Sequence, residues 1–199
     1  MPYGDRMRPL SRTVLPKLGI LALAVALSGC TAAPEPAPPT AAPSPTATVA
    51  PVFANSEEAL TAATAAYAAY EDMATLVFSE GGSQPERLQE VTAGRYEENI
   101  LQAFTKAHAD GLRSTGRTTF DGVRMQRVDE KAPGGVGVVV VYLCSDVSQL
   151  DILDASGVSQ VPADRESRTA LEVGFDWEPG LLGVLAVGSR TVWNGGGVC

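Results

Sequence analysis

The chain has 199 residues, with 15 Lys plus Arg against 23 Asp plus Glu, one histidine and three cysteines, and a formal charge of −8. An acidic surface repels phosphate backbones, so the chain is expected to bind no nucleic acid. A single histidine excludes a histidine-rich zinc site and leaves any serine–histidine chemistry dependent on His108 alone.

In chain order, the first element is an address. Arg6, Arg8, Arg12 and Lys17 precede the apolar run Leu18-Gly-Ile-Leu-Ala-Leu-Ala-Val-Ala-Leu27. That is a charged region followed by a hydrophobic one roughly half the ~20 residues of a spanning helix, the pattern of an export signal. The run ends in Leu27-Ser28-Gly29-Cys30, which resembles a bacterial lipobox. The resemblance implies cleavage between Gly29 and Cys30, lipidation of the Cys30 sulfur, and attachment to the outer face of the bacterial cytoplasmic membrane. Two acyl chains anchor stably where one binds reversibly. Loss of the first 29 residues would remove four basic residues and one acid, leaving 11 against 22 and a charge of −11.

Residues 30–51 read as the lipidated cysteine and a tether, TAAPEPAPPTAAPSPTATVAP, with seven prolines in 21 residues. Such a stretch cannot bury enough apolar surface to fold. At about 3.1 Å per residue in polyproline II it would reach roughly 65 Å. Residues 52–199 then suit a single domain.

Within that domain, Asn55 or Ser56 can cap a helix with Glu57 and Glu58 in its first turn. Leu60, Ala63, Tyr67, Tyr70, Ala74 and Val77 recur at three- and four-residue steps and predict a helix over 56–79, ended by Gly81-Gly82. Pro85 to Val91 predicts a short helical turn. A second helix over 93–109 puts Tyr96, Ile100, Phe104 and Ala107 on one side and closes at Gly111.

Beyond Gly111 the period changes. Residues 115–129 predict a strand in which Phe120 is out of step with Val123 and Met125, so a bulge is expected at Asp121-Gly122. The valine-rich run 136–145 predicts a central strand extending in bent form to Leu153, followed by a turn at Asp154-Ala-Ser-Gly157. Thr169 to Trp177 alternate as a strand, Glu178-Pro179-Gly180 turns the chain, and Val184 to Trp193 returns as the last strand. The fold class is α+β: N-terminal helices packed on a curved antiparallel sheet of about four strands.

Helices first and an antiparallel meander afterwards is an order similar to the cone-shaped nuclear transport factor 2-like and SnoaL-like domains. From Glu57 on, the chain also resembles actinobacterial lipoproteins of unassigned role. The segments Pro85-Glu-Arg-Leu-Gln-Glu-Val, Gly111-Leu-Arg-Ser-Thr-Gly, Tyr142-Leu-Cys-Ser-Asp-Val-Ser and Trp193-Asn-Gly-Gly-Gly-Val-Cys199 carry that likeness. The resemblance implies a fold and no mechanism.

Outside the cytoplasm Cys144 and Cys199 are expected to form a disulfide. Neither belongs to a C-x-x-C motif, the usual setting of a redox thiol. His108 reads as a helix-end side chain, and no Gly-x-Ser-x-Gly elbow or phosphate-binding loop accompanies it. Asp146, Asp151 and Asp154 lack the spacing of a calcium loop and read as turn residues, so no metal and no cofactor is expected.

Tyr67, Tyr70, Tyr96, Phe104, Tyr142 and Trp177 read first as core and second as the lining of a pocket, because cone-shaped relatives hold small ligands between helix and sheet. Glu71, Asp72 and Tyr142 are the conceivable acid, base or donor groups, with no motif to single them out. The sequence thus points to a membrane-anchored, non-enzymatic interaction or accessory domain with an unidentified protein or small-molecule partner. The alternative is a binder of small apolar ligands using the cone cavity, and an isomerase-type enzyme comes third.

Overall fold

A computed structural model describes residues 52–177 and 184–199. The leader, Gly29, Cys30, the tether and the Glu178-Pro179-Gly180 turn lie outside the described residues.

Helix α1 runs Ser56–Ser79. The Asn55 carboxamide oxygen accepts from the Glu57 and Glu58 amides at 2.9 Å each, so Asn55 is the cap, and Glu58 reaches back to the Ala54 amide at 2.7 Å. Its Ala63, Tyr67 and Tyr70 belong to the core, as the three- and four-residue steps predict, while Ala59 rather than Leu60 is the fully buried residue at its start. A 3-10 turn at Pro85–Glu90 and helix α2, Gly94–Ala109, follow. Tyr96, Ile100, Phe104 and Ala107 do share a side of α2, but each is only half-buried.

The strands are β1 (Arg113–Thr115), β2 (Thr119–Val128), β3 (Val139–Asp146), β4 (Asp151–Leu153), β5 (Arg168–Trp177) and β6 (Leu185–Val192). An antiparallel sheet in the order β2-β3-β5-β6 carries the core, and β1 pairs with β4 in a separate two-stranded sheet. The fold is α+β, with α1 against the face that bears Val139, Val141, Leu143, Leu171, Val173 and Phe175.

Two expectations are corrected here. The central strand does not bend on to Leu153: it ends at Asp146, and β4 turns away to pair with β1, Ser114 opposite Ile152. Likewise, β1 and β2 are separate strands, divided at Gly116, whose φ is +73°. A Cβ on Gly116 would lie 1.8 Å from the Gln149 carbonyl oxygen, so only glycine lets this corner meet the segment between β3 and β4.

The expected irregularity at Asp121-Gly122 is present, and a second follows between Met125 and Arg127. Together they keep Phe120, Val123, Met125 and Val128 packed on the core. A third lies in β6, where Gly174 faces Ser189 but Phe175 faces Val187, leaving Gly188 as the extra residue. All three sit on the edge strands, where bulges increase twist, curl the sheet and blunt its edges.

Cys144 and Cys199 are joined by a disulfide, Cα atoms 5.1 Å apart, tying the last residue to β3. Among the described residues no helix is long and apolar enough to cross a membrane.

Candidate functional site

The bulge at Gly188 decides what the sheet presents to α1. Strict alternation from Leu185 and Val187 would turn Ser189 inward and Arg190 out. The extra residue reverses this: Arg190 pairs with Val173, a core residue, and its side chain enters the helix-facing layer. A Cβ on Gly188 would meet the Asp176 carboxylate at 2.2 Å, so any larger residue would displace that side chain. Asp176 itself is buried, accepts from the Gly137 amide at 2.7 Å, and has its pKa raised by desolvation.

Inside, Arg190 Nε donates to the Tyr67 hydroxyl at 3.2 Å. Tyr67 is fully buried and meets Phe120 edge to face at 4.8 Å. One turn along α1, the Tyr70 and Tyr96 hydroxyls share a hydrogen bond of 2.6 Å that ties α1 to α2. Burial raises all three tyrosine pKa values, so the phenols stay protonated. Burial opposes the Arg190 charge while the hydrogen bond to the Tyr67 oxygen favours it, and the guanidinium is permanently charged.

Glu71 is the other ionisable group in this layer, 7% exposed. Desolvation raises its pKa, against the opposing pull of Tyr67 and Arg190. No carboxylate among the described residues lies within 4.0 Å of the Arg190 nitrogens, so Glu71 and Arg190 are neighbours without forming an ion pair.

These groups border a half-open cavity of about 190 Å³. Tyr70, Glu71, Ala74 and Phe78 of α1 line it, with the Phe104 ring of α2 tilted against Phe78 at 5.4 Å. Ser114 and Thr118 supply one wall, Val147 and Leu150 another, and Arg190 the end. The Gly116 corner brings the first two walls together, and Arg165 fixes the second by donating to the Val147 and Leu150 carbonyls at 2.7 and 2.8 Å. Glu71 and Thr118 also border an adjoining cavity of about 240 Å³ against Asp72, Arg117 and Phe120. Depressions of about 420 and 410 Å³ elsewhere are flatter, one around Gly81 and Gly111 and the other around Ser148 and Pro162.

Of the six expected aromatics, Tyr70 and Phe104 line the cavity, while Tyr67 and Tyr96 stand behind it through hydrogen bonds. Tyr142 and Trp177 do not join them. Tyr142 lies on the opposite face of the sheet, 4.4 Å from the Trp193 ring and bonded to Gln126 at 3.0 Å. Trp177 stacks on Phe53 at 5.5 Å, four residues beyond Val173 and so about 13 Å along the strand from Arg190.

His108 binds the Gly81 carbonyl through Nδ1 at 2.9 Å, linking the end of α2 to the end of α1. Asp146 takes the Ser148 amide and Arg168, Asp151 takes Ile152 and Ser159, and Asp154 closes its turn on Ser156 and Val158. Among the described residues no group of three metal-ligating side chains converges.

Sequence reading missed Arg190, Ser114 and Thr118. Glu71 had a signal, a carboxylate on the same stripe as Tyr67 and Ala74.

Fold and site together define an α+β domain with an amphipathic cavity between its helices and its sheet. No family model matches the chain, and no curated protein matches it in sequence. Among solved structures it is similar to the intermembrane space region of the chloroplast protein ARC6, at 15% identity and a TM-score of 0.48 over 67% of this chain and 95% of that one. It is also similar to Aln2 from a Streptomyces species, at 20% identity and a TM-score of 0.43 over 69% and 91%. The function is therefore read from the cavity itself.

Proposed function

We propose that this chain is a lipoprotein of the outer face of the bacterial cytoplasmic membrane, anchored through Cys30, whose domain binds a small ligand without transforming it. The observation that carries the reading is the cavity of about 190 Å³ whose lining combines apolar side chains (Phe78, Phe104, Val147, Leu150) with hydroxyls, one carboxyl and one guanidinium. A cavity of about 150 Å³ suffices for benzene, while drug-sized ligands need roughly 300 Å³ or more, so the ligand is the size of one ring with a short substituent. Helices over a sheet curled by three edge bulges support the cone-shaped, nuclear transport factor 2-like reading. The sequence Leu27-Ser28-Gly29-Cys30 and the proline-rich tether support the anchor. On this reading the membrane and a small molecule are the partners, with no nucleic acid and no cofactor.

Ligand binding is tested by the melting temperature of the full chain with and without indole, a neutral probe of the right size. An upward shift that the cavity-filling variant Ala74→Phe loses, at unchanged far-ultraviolet circular dichroism, supports the reading. No shift, or one that Ala74→Phe keeps, contradicts it. The anchor is tested separately by intact mass: acyl mass on a chain beginning at Cys30 is expected, and a chain cleaved elsewhere without lipid refutes it.

One observation favours a second reading, an isomerase-type enzyme. Glu71 is a buried carboxyl with a raised pKa in a cavity, the state a general acid or base needs. Turnover abolished by Glu71→Gln with ligand binding retained would establish it over simple binding.

A further inference from the structure

We infer that the ligand is a small monocarboxylate with an apolar body, its carboxylate held by Arg190 and Ser114 and its body by Phe78, Phe104, Val147 and Leu150. This rests on the binding reading above and specifies its chemistry.

The first ground is the unused capacity of Arg190. A guanidinium has five N–H donors in a planar fork. Here only Nε has a partner among the described residues, the Tyr67 hydroxyl. That bond engages one side of the fork and leaves both Nη groups without a partner among the described residues, on a side chain that lines the cavity. A charge carried into the helix-facing layer by a bulge, with no carboxylate within 4.0 Å among the described residues, is an unfavourable placement that a bound anion would relieve. Arginine is also the side chain whose geometry matches a carboxylate in bidentate fashion.

The second ground is independent. Ser114 is 2% exposed, and its hydroxyl is one of two buried side-chain polar atoms without a partner among the described residues. Buried polar groups are ordinarily satisfied. The other orphan, Ser145, does not border the cavity, whereas Ser114 does. A ligand oxygen there would complete the serine.

The remaining lining selects among anions. One fixed cation, one hydroxyl and a neighbouring carboxyl suit a single negative charge. A phosphate dianion needs more donors, and the helix N-termini and glycine-rich backbone that bind phosphate are absent from the lining. Glu71 would repel an anion when ionised, but burial shifts it toward its protonated form, in which it donates a hydrogen bond instead.

The test is titration calorimetry of the full chain in detergent, with micelle blanks subtracted, against an isosteric pair: phenylacetate and the neutral phenylacetamide. Hydrogen bonds to a charged group predict that phenylacetate binds about ten- to a hundredfold more tightly. Arg190→Gln is expected to erase that preference while phenylacetamide binding persists, which shows that the variant is folded. Arg190→Lys keeps part of the preference, and Ser114→Ala lowers phenylacetate affinity alone, by roughly three- to tenfold. Equal affinity for the two probes, or a preference that survives Arg190→Gln, overturns the inference and leaves the cavity reading standing. Tighter binding of L-phenylalanine than of phenylacetate overturns it too, since the site would then pair a ligand ammonium with Glu71. If neither phenyl probe binds and indole gives no thermal shift, both readings fall.

Discussion

The two faces of the sheet treat their polar side chains in opposite ways. On the face away from α1, Arg168 bridges Asp121 and Asp146 at 2.8 and 2.9 Å, and Gln126 joins Tyr142 to Glu172 at 3.0 Å each. Toward α1, Arg190 of the sheet keeps two unused Nη groups, Ser114 of the separate β1-β4 pair has no partner, and Glu71 of α1 itself is buried without an ion pair. The first set is closed and exposed, and it serves the fold. The second is open: Ser114 and Glu71 are buried and Arg190 is half-buried, and buried polar groups left incomplete are tolerated where a ligand completes them.

The largest effect expected belongs to the outer face and has nothing to do with the ligand. Removing the disulfide with Cys144→Ser frees a loop spanning 55 residues and should cost about 4 kcal/mol in the loop-entropy model. For a domain of this size that is a fall of roughly 10 °C in melting temperature, with ligand binding at low temperature unchanged. Loss of binding together with stability would mean that the two faces are not independent.

The next effect has the opposite sign. Arg190→Met replaces a desolvated charge by an apolar chain of similar length and should raise stability by on the order of 1 kcal/mol while abolishing carboxylate binding. Destabilisation measured by urea unfolding would show that Arg190 serves the fold, as the outer arginine does.

Glu71 sharpens the comparison through pH. It is faced by Tyr67 and Asp72 on its own helix and by Arg190 from β6; desolvation, with the Asp72 charge added, raises its pKa against Tyr67 and Arg190. The folded state therefore holds the proton more tightly than the unfolded chain, in which the carboxyl has its ordinary value of 4.5. The stabilisation from this site is complete below that value and is lost as pH rises through the folded pKa. Glu71→Gln should remove this component, so that the difference in unfolding free energy between variant and wild type moves in the variant's favour across that window. A difference that is flat with pH would contradict the assignment. The smallest effect is Arg168→Ala: its guanidinium is 42% exposed, and exposed pairs contribute little and are screened by salt, so the melting temperature should move by no more than about 3 °C.

Local patterns were legible where local physics governs. The α1 stripe and its Asn55 cap follow from the spacing of Ala63, Tyr67 and Tyr70 and from a short polar side chain ahead of two glutamates. The Asp121-Gly122 bulge was readable because Phe120 and Val123 are both apolar yet out of step. The bulge at Gly188 left no such mark, for Ser189, Arg190 and Thr191 are all polar, and alternation among polar residues does not reveal which one faces in. A one-residue slip reverses every side chain beyond it, so the residue most informative about the site was hidden by a register shift. Ser114 was hidden for a related reason, because its burial depends on pairing β1 with the distant β4 rather than with its neighbour in sequence. The face taken by Tyr142 is not legible in the sequence, because a period of two sorts a strand into two faces without saying which is inside.

The most direct test of the central claim, that the open polar groups beside α1 await a small acid, is native mass spectrometry of the protein purified gently from its own cells. Wild type and Arg190→Met should be compared side by side. A dissociable adduct of one small acid on the wild type, absent from Arg190→Met, is the predicted result. Identical masses for the two proteins, once the substitution itself is subtracted, would contradict it.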